Sequence, residues 1–488
     1  MARSPAPRLN FGAVAVRGDA PHRGGPSTTR RGLRAAGQGV AGWGEHTAYR
    51  LGMLAGETDG THVNDILDEL HWRGAVAQTT DETALRAALA AGPLTLYCGF
   101  DPTAPSLHFG NFVQLVALRR FQRAGHKVIC LVGGSTGLIG DPKPTSERVL
   151  KTAEQTAANV ARIKELVRPF LDFDGSSGVA HPAVMVDNLD WTAPMSALDF
   201  LRDVGKHFRV NQMIRKDAIA TRLASQEGIS YTEFSYQLLQ ALDFLELYRS
   251  HGCTMQIGGS DQWGNLISGV DLIHRVEGAD VHILTSPLLT DAAGVKFGKS
   301  EGNAIWLSAD MTSPYAFYQY FLNIEDASVI TLLKVFSDRD QAEIAELAQA
   351  VAEEPFRRAA QKALAHDMVV LVHGQSAYDA VAQASDALFG KGDVTLLDEG
   401  TLRDATAELP GGSVEVGSSL VDALVAVGLA ESRNGARRTL AEGAVSLNGR
   451  KVSDPDQVLA TADFLHGAVA IVTRGRKAQY AARLTTKL

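Results

Sequence analysis

The chain has few cysteines and no long apolar runs, and these shortages exclude several classes of protein. Its three cysteines, Cys98, Cys130 and Cys253, are too far apart for a disulfide framework or a Cys-x-x-Cys metal or redox site. No apolar run approaches the ~18 residues of a membrane-spanning helix. With 488 residues, 45% hydrophobic and 21% charged, the chain is predicted to be a globular cytoplasmic protein of about three domains, with no membrane segment.

Charge is unevenly distributed along the chain. Residues 1 to 52 carry eight arginines against two acidic residues, and residues 411 to 488 carry ten basic against seven acidic residues. The remaining residues have a net charge of −17 within a total of −8. Because affinity for a polyanion needs a local concentration of Lys and Arg, the acidic body is not expected to bind nucleic acid non-specifically. Any RNA contact should be local and directed.

The first 62 residues are rich in Arg, Gly, Pro and Ala and show no period that could bury a face, which predicts a disordered extension. Such a segment is typical of an organelle transit peptide or of a flexible tail. A third interpretation is that translation starts near Met53 or Val63. We favour this third one, because an amphipathic helix pattern begins abruptly at Asn64.

Residues 63 to 313 predict a doubly wound, Rossmann-like α/β catalytic domain. An apolar strand pattern at 94–100 is followed by a turn and a helix pattern at 112–125. A second strand, Lys127 to Val132, leads into a glycine-rich turn, Gly133 to Asp141. Repeated strand–turn–helix units with apolar strands indicate a parallel sheet covered by helices. Ligands are then expected beyond the carboxyl ends of the strands.

The remaining residues predict two further domains. Residues 314–390 have the composition and periodicity of an α-helical domain, and 391–413, with little periodicity, are predicted to be a linker. Residues 414–488 predict a small, separate, basic α+β module with two helices. Its Asn448-Gly449 dipeptide, between two apolar segments, is typical of a type I′ hairpin turn.

Two turns carry groups suited to phosphate. In DPTAPSLHFGN, Asp101 to Asn111, a turn with small residues opens a helix, whose free N–H groups attract anions. In KFGKS, Lys296 to Ser300, two lysines lie in a glycine-flanked loop that could clamp a polyphosphate. Taken alone, the first segment is better explained as a structural turn and the second as a solvated basic turn.

Two further segments carry polar groups beside apolar ones. Tyr236, Gln240 and Asp243 fall on one face of a helix so apolar that it is predicted to be buried, and they would then need polar partners. In MQIGGSDQWGN a strand enters a glycine turn, and Asp261 just after it could accept from ribose hydroxyls. A wet helix face and a plain turn are the alternatives.

Taken together and in this order, these segments resemble those of one family. YCGFDPTAPSLHFGN, VGGSTGLIGDP, YTEFSYQLLQALDF, QIGGSDQWGN and KFGKS resemble the bacterial tyrosyl-tRNA synthetases, class I enzymes with the signatures His-Ile-Gly-His and Lys-Met-Ser-Lys-Ser. The resemblance runs from about Asn64 to Tyr480. It includes the C-terminal module, which is similar to the alpha-L type of RNA-binding domain.

The resemblance implies tyrosine–tRNA ligase activity, in which tyrosine and ATP form tyrosyl-AMP and the tyrosyl group then passes to tRNA(Tyr). The implied tyrosine-binding residues are Tyr97, Asp141, Tyr236, Gln240, Asp243 and Gln262. The implied ATP-binding residues are Gly99, Asp101, His108, Gly110, Asn111, Gly259, Asp261 and Lys299. The implied catalytic residues are Thr103, His108, Asn111, Lys296, Lys299 and Ser300. The implied tRNA-binding residues are Arg433, Arg437, Arg438, Arg450, Lys451, Arg474, Arg476 and Lys477.

The resemblance also implies partners. ATP would enter with Mg²⁺ and without a dedicated protein metal site, and the enzyme would be a homodimer that binds tRNA across both subunits. The helical domain would approach the anticodon arm and the C-terminal module the variable arm. A tryptophanyl-tRNA synthetase and a non-catalytic RNA-binding paralogue are the alternatives; the Tyr97 and Asp243 pair disfavours the first, and the retained Lys296 and Lys299 disfavour the second.

The sequence departs from the family at three places. The first signature ends in Asn111 instead of His, and the second has Phe297-Gly298 instead of Met-Ser. The stretch PKPTSER after Asp141 is shorter than the family's loop, which leaves the phosphate roles of Lys143 and Arg148 open.

Overall fold

The computed structural model describes most of the chain after residue 64. The described ranges are 65–143, 146–226, 228–290, 296–300, 303–389, 392–407, 409–475 and 478–484, without the side chains of 217, 218, 299, 300, 303 and 478. The predicted extension 1–62 and its three interpretations lie outside the described residues. Arg476 and Lys477 lie outside them as well.

The secondary structure of the described residues alternates strands with helices and then becomes mainly helical. The strands are β1 Gln78–Thr79, β2 Thr95–Phe100, β3 Lys127–Val132, β4 Val184–Asp187, β5 Met255–Gly259, β6 His282–Ser286, β7 Lys299–Ser300, β8 Asn303–Ala304, β9 Gly411–Val414, β10 Val445–Leu447, β11 Arg450–Val452, β12 Val469–Arg474 and β13 Ala478–Leu484. The α-helices up to the end of the sheet are α1 Ile66–Trp72, α2 Glu82–Ala91, α3 Phe109–Arg123, α4 Thr136–Ile139, α5 Ala153–Val167, α6 Leu189–Thr192, α7 Ala197–Asp199, α8 Val210–Met213, α9 Asp217–Ala224, α10 Tyr231–His251 and α11 Trp263–Glu277. The later α-helices are α12 Pro314–Leu322, α13 Asp326–Phe336, α14 Gln341–Glu353, α15 Ala359–His373, α16 Gln375–Phe389, α17 Glu399–Ala407, α18 Leu420–Ala426 and α19 Arg433–Ala441.

A six-stranded sheet in the order β1-β6-β5-β2-β3-β4 forms the centre of the first domain. The predicted doubly wound α/β fold is confirmed, and β2 pairs in parallel with both β3 and β5. The expectation of a wholly parallel sheet is wrong at one edge, where β1 pairs antiparallel to β6. This two-residue strand is too short to show any alternation in the sequence.

The order of the strands reverses between β2 and β5, and this places the site. The chain moves outward from β2 through β3 to β4 and then returns to the other side of β2 with β5 and β6. The segments that leave β2 and β5 at their carboxyl ends therefore diverge and leave a crevice between them. The predicted turns beginning at Asp101 and Ser260 both open into this crevice.

Helix α3 joins the sheet to the helical part of the chain. Twelve of its fifteen residues are buried, so the helix is covered on nearly every side. Near its start, Phe109 packs on Phe336 of α13, with ring centroids 4.5 Å apart. Near its end, Arg119 makes two hydrogen bonds of 2.8 and 2.9 Å to the Asp338 carboxylate, and Arg120 donates to the Ser337 carbonyl at 2.9 Å.

Residues 391–413 differ from the predicted linker. A 3-10 turn, Val394–Leu396, and helix α17 lie within this range. Leu402 and Ala405 of α17 are buried in the main hydrophobic core. The sequence does not reveal this helix because it is short and contains Gly400, so packing rather than propensity stabilises it. The other domain boundaries remain a prediction.

The C-terminal module contains a five-stranded sheet in the order β11-β10-β12-β13-β9. Asn448 and Gly449 join β10 to β11 with φ of 47° and 79°, so the predicted type I′ turn is confirmed. The module has its own core, yet Val469, Ile471 and Ala481 belong to the main core of the chain. The predicted C-terminal module is therefore confirmed as a unit with its own sheet and core, and these three residues pack it against the rest of the chain. No helix in the described ranges has the length and apolar character needed to cross a membrane.

Candidate active site

The crevice beyond β2 and β5 is a cavity of about 590 Å³. It brings together every predicted tyrosine-, ATP- and catalytic residue whose side chain is described. These are Tyr97, Gly99, Asp101, Thr103, His108, Gly110, Asn111, Asp141, Tyr236, Gln240, Asp243, Gly259, Asp261, Gln262 and Lys296. Lys299 and Ser300 are described only by their backbone, in the short strand β7. Lys143 and Arg148 also line the cavity.

One end of the cavity, the buried end, is formed around Tyr97, Tyr236 and Asp243, which are 1%, 6% and 3% exposed. The Tyr97 hydroxyl has no hydrogen-bond partner among the described residues. Asp243 accepts from Asn188 Nδ2 and from Trp191 Nε1, each at 3.0 Å. Burial raises the pKa of Asp243 to about 7 and, together with the charge of Asp243, holds the pKa of Tyr97 well above its usual value.

Asn188 and Trp191 hold Asp243 in place, and the sequence interpretation missed both. Asn188 directly follows β4, and its Nδ2 also donates to Thr136 Oγ1 at 3.0 Å. Thr136 Oγ1 in turn donates to Asp101 at 2.6 Å. The signal that could have found Asn188 is its place at the carboxyl end of a strand, the edge where β2 and β5 also end.

Asp101 and Asp141 complete the buried end. The Asp101 carboxylate accepts from Tyr236 Oη at 2.8 Å and from Thr136, and burial raises its pKa. Asp141 accepts from Gln262 Nε2 at 3.2 Å and Asn265 Nδ2 at 2.9 Å. Burial raises the pKa of Asp141 to about 6 despite these two donors. The buried end therefore holds three carboxylates, each fixed by two side-chain hydrogen bonds.

A buried ion pair holds the wall beside Asp141. Arg222 and Glu233, each 1% exposed, pair at 2.8 Å. Glu233 also accepts from the backbone N–H of Arg148 at 2.6 Å, and Arg222 donates to the Ser146 carbonyl at 2.9 Å. Arg148 then donates through Nε to the Asp141 carbonyl at 2.6 Å. The sequence interpretation missed this pair, because nothing in a helix-face pattern shows that an arginine and a glutamate are buried together.

The other end of the cavity, the open end, begins at the start of α3. The His108 side chain caps the helix by accepting from Asn111 N–H at 3.3 Å, and Asn111 Oδ1 accepts from His108 N–H at 3.4 Å. A Cβ at Gly110 would lie 2.9 Å from His108 Cε1. The asparagine that departs from the family signature therefore completes a reciprocal cap.

Lys296 and Asp261 form the far side of the open end. Lys296 Nζ lies 3.3 Å from Asp261 Oδ2, and the two side chains are 51% and 42% exposed. An exposed pair of this kind contributes little to stability and exchanges easily with water or with another partner. The predicted phosphate-clamping lysine and the predicted ribose-binding carboxylate therefore neutralise each other across the cavity.

The predicted RNA-binding residues of the C-terminal module that are described lie on its surface. The exposed ones are Arg433, Arg437, Arg438, Arg450, Lys451 and Arg474. Arg433 pairs with Asp422, and Arg450 lies 3.6 Å from Asp463. The remaining basic residues, Arg437, Arg438, Lys451 and Arg474, leave a basic surface on α19 and on strands β11 and β12.

Two family models match the chain. The model "tRNA synthetases class I (W and Y)" matches residues 89–390, more than half of the chain. The model "Tyrosine--tRNA ligase SYY-like C-terminal domain" matches residues 402–482. Strands β2 to β6, the crevice and helices α12 to α16 thus lie within a class I tRNA synthetase domain.

Individual proteins narrow the family. The tyrosine–tRNA ligase of Streptomyces coelicolor is 54% identical over 424 residues, covering 87% of this chain and all of that protein. The tyrosine–tRNA ligase of Streptomyces griseus is 56% identical over 416 residues, covering 85% of this chain and 97% of that protein. A C-terminally truncated mitochondrial tyrosyl-tRNA synthetase from Aspergillus nidulans is similar in structure, with a TM-score of 0.60 and 29% identity over 71% of this chain and 99% of that chain. The chain belongs to the tyrosine–tRNA ligase family.

Proposed function

We propose that this chain activates L-tyrosine with ATP and transfers the tyrosyl group to tRNA(Tyr). The observation that carries this proposal is the pair at the buried end: the unpaired hydroxyl of Tyr97 beside the carboxylate of Asp243. Together they offer one donor and one acceptor to a phenol hydroxyl. A phenylalanine in the same place would leave both groups desolvated without a partner, at about 1–3 kcal/mol each. Rejection of phenylalanine because it lacks the hydroxyl is already established for tyrosyl-tRNA synthetases.

The rest of the buried end would hold the amino acid by its ammonium group. Asp141, Tyr236 and Gln240 line the cavity beside Asp243 and supply the oxygen atoms that an ammonium group needs. Gln262, which donates to Asp141, would lie near the reacting carboxylate. The amino acid is thereby oriented before ATP reacts.

The open end would hold ATP. His108 and Thr103 would contact the phosphates, Gly110 the adenine, and Asn111, Gly259 and Asp261 the ribose, all from the lining of the cavity. Gly99 and Asp101 would contact the nucleotide from the side of the buried end. Lys296 and Lys299 would close over the pyrophosphate, with Ser300 beside them. Lys143 and Arg148 line the same cavity and are further candidates for phosphate contacts.

No protein nucleophile is needed for this reaction. The carboxylate of tyrosine attacks the α-phosphorus of ATP, the bond from this phosphorus to the bridging β-phosphate oxygen breaks, and pyrophosphate leaves. The lysines would neutralise its charge, and Mg²⁺ entering with the nucleotide would supply further neutralisation. The ribose hydroxyl of the terminal adenosine of tRNA then attacks the activated carbonyl and AMP leaves. Catalysis rests on positioning and on electrostatic stabilisation of the leaving group.

The C-terminal module would supply most of the electrostatic attraction to tRNA. Residues 314–389 carry eleven acidic against five basic residues, so the helical part repels a polyanion overall. The module carries the exposed arginines of α19, β11 and β12. We therefore assign contact with the variable arm to the module, and a contact guided mainly by shape to the helical part near the anticodon arm.

We also propose a homodimer in the cytoplasm. Leu198, Leu201 and Val210 are 78%, 50% and 62% exposed on the segment after β4, and apolar side chains this exposed and this close in sequence favour a subunit interface. Cys98, Cys130 and Cys253 are all buried and free, which suits a reducing compartment. Light scattering of wild type and of Leu198→Glu tests the dimer: a mass of one chain in wild type would contradict it.

One assay tests the activity. ATP–pyrophosphate exchange, measured with tyrosine, tryptophan and phenylalanine in parallel, should show exchange with tyrosine alone. Exchange with tryptophan would favour a tryptophanyl-tRNA synthetase. Absence of exchange with all three, together with retained RNA binding, would favour the non-catalytic paralogue.

A further inference from the structure

The loop Lys296–Ser300, called here the signature loop, has a backbone conformation that explains one of its departures from the family. Gly298 has a φ of 79°. A Cβ on Gly298 would lie 2.8 Å from Cβ of Phe109, the residue between His108 and Gly110. The serine that the family signature has at this position would therefore be strained in its backbone and would clash with α3. The loop of this chain is built to lie directly against α3.

The N–H and the carbonyl of Gly298 are both hydrogen-bonded to residues outside the signature loop. Its N–H donates to the hydroxyl of Tyr320 at 2.9 Å, and its carbonyl accepts from Ile305 N–H at 2.8 Å. Tyr320 lies on α12, and its ring packs edge-on against Phe109 with centroids 6.5 Å apart. The contact between the Tyr320 ring and Phe109, at the start of α3, therefore helps to position the Tyr320 hydroxyl beside Gly298.

This contact lies two residues from the lysine that faces the nucleotide site. Lys296 reaches Asp261 across the open end. Phe297, between Lys296 and Gly298 in the sequence, donates its N–H to the Leu289 carbonyl at 2.9 Å and packs on the main core. The backbone from Lys296 to Gly298 therefore has few alternative positions while the Tyr320 bond is made. Loss of that bond would leave the N–H of Gly298 without its partner.

We propose that Tyr320 is a positioning residue: its hydroxyl fixes the peptide of Gly298, and through it the place of Lys296 at the open end. This inference rests on the proposed function for its effect on ATP, but not for its effect on the loop backbone. Tyr320 lines no part of the cavity, so it would act only through the signature loop.

The test is Tyr320→Phe in the full chain, which removes the hydroxyl and keeps the ring. We expect kcat/KM for ATP in pyrophosphate exchange to fall about three- to tenfold, the size of one lost hydrogen bond, with KM for tyrosine unchanged. Amide hydrogen exchange of residues 296–298 in the ligand-free protein should become faster. Tyr318→Phe is the matched control, since Tyr318 lies on the same helix and packs against Tyr378, 6.1 Å away. It should change neither quantity.

The outcomes separate the two proposals. Unchanged or faster ATP kinetics in Tyr320→Phe, or equal losses for ATP and tyrosine, would overturn the positioning role. Wild type without tyrosine-dependent exchange would contradict the proposed function, and hydrogen exchange would then still decide whether Tyr320 holds the loop.

A second variant tests whether the Tyr320 hydroxyl acts through Gly298. Gly298→Ser removes the conformation on which the Tyr320 bond depends. If Tyr320 acts through Gly298, the double variant should be no worse than Gly298→Ser alone. Additive losses would show that Tyr320 acts by another route and would overturn the proposal.

Discussion

The two ends of the cavity are stabilised in opposite ways. At the buried end, Asp243 is 3% exposed and is held between two donors at 3.0 Å. At the open end, Lys296 and Asp261 face each other at 3.3 Å with about half of each side chain exposed, and the cap between His108 and Asn111 has bonds of 3.3 and 3.4 Å. One end is fixed before any ligand arrives, and the other consists of contacts that a ligand can replace.

The proposed function accounts for this difference. Selection of one side chain among similar ones needs groups whose partners cannot be replaced by water, so the buried end is preorganised. A nucleotide has to enter and its pyrophosphate has to leave, so the open end needs charges that change partners at low cost. Lys296 can exchange Asp261 for a phosphate without exposing any buried group.

The largest expected effect comes from Asp243→Ala. It removes the proposed acceptor for the phenol and also takes an acceptor from the buried Asn188 and the half-buried Trp191. We expect kcat/KM for tyrosine in pyrophosphate exchange to fall roughly a hundredfold, while KM for ATP stays within about twofold. An unaltered dependence on tyrosine concentration would contradict the assignment of the buried end.

A change of pH should affect the same end. The pKa of Asp243 is raised to about 7 and that of Asp141 to about 6, so both carboxylates gain protons between pH 8 and pH 6 and lose the charge that tyrosine needs. We expect tyrosine affinity, measured by calorimetry, to fall about tenfold over this range.

The ligand-free fold should respond in the opposite sense. Both pKa values are raised above their unfolded values, so the stability that these groups contribute is present at low pH and is lost as pH rises through about 6 to 7. Asp243→Ala should remove part of that loss in thermal unfolding. If the affinity for tyrosine did not change with pH, the proposed role of these two carboxylates at the buried end would be wrong.

At the open end, Asp261→Ala should have a smaller effect on the other substrate. The variant frees Lys296 and removes a proposed ribose contact, so KM for ATP should rise about five- to tenfold while KM for tyrosine is unchanged. Steady-state exchange with each substrate varied in turn measures both. If Asp261→Ala changed tyrosine as strongly as ATP, the two ends would not be independent.

The smallest expected effect lies outside the cavity. Arg437 and Arg438 are exposed on α19. Replacing both with alanine should weaken tRNA binding about three- to tenfold and lower its salt dependence by about one to two counterions, with pyrophosphate exchange intact. Filter binding over a range of salt concentrations measures this. Equal loss of exchange would mean that the module acts on the cavity as well as on RNA.

The sequence predicts groups that follow strands and helix faces better than it predicts their partners. The turns after β2 and β5 and the helix with Tyr236 and Asp243 are read from local periodicity, and the structure brings them together as expected. Asn188 and Trp191 bond Asp243 from more than fifty residues away, and no local pattern encodes that pairing. Helix α17 was missed for a related reason, because tertiary packing stabilises it.

The signature loop is a second case in which contacts between residues distant in sequence could not be predicted. Gly298 and Phe297 appear in the sequence only as departures from Lys-Met-Ser-Lys-Ser. Their meaning requires knowing that α12 brings Tyr320 to the loop and that Phe109 lies within contact of Gly298. A departure from a motif therefore becomes interpretable once the neighbour that compensates for it is known.

Helix α3 has a mechanical consequence. It is about 22 Å long at 1.5 Å per residue, with His108 at one end and, at the other, arginines anchored to the loop that follows α13. Phe109 at the His108 end also packs on Phe336 of α13, so α3 contacts α13 and the loop after it at both ends and should move with them. A small rotation of the helical part, such as docking of a large ligand would impose, would therefore displace His108 beside the proposed nucleotide site.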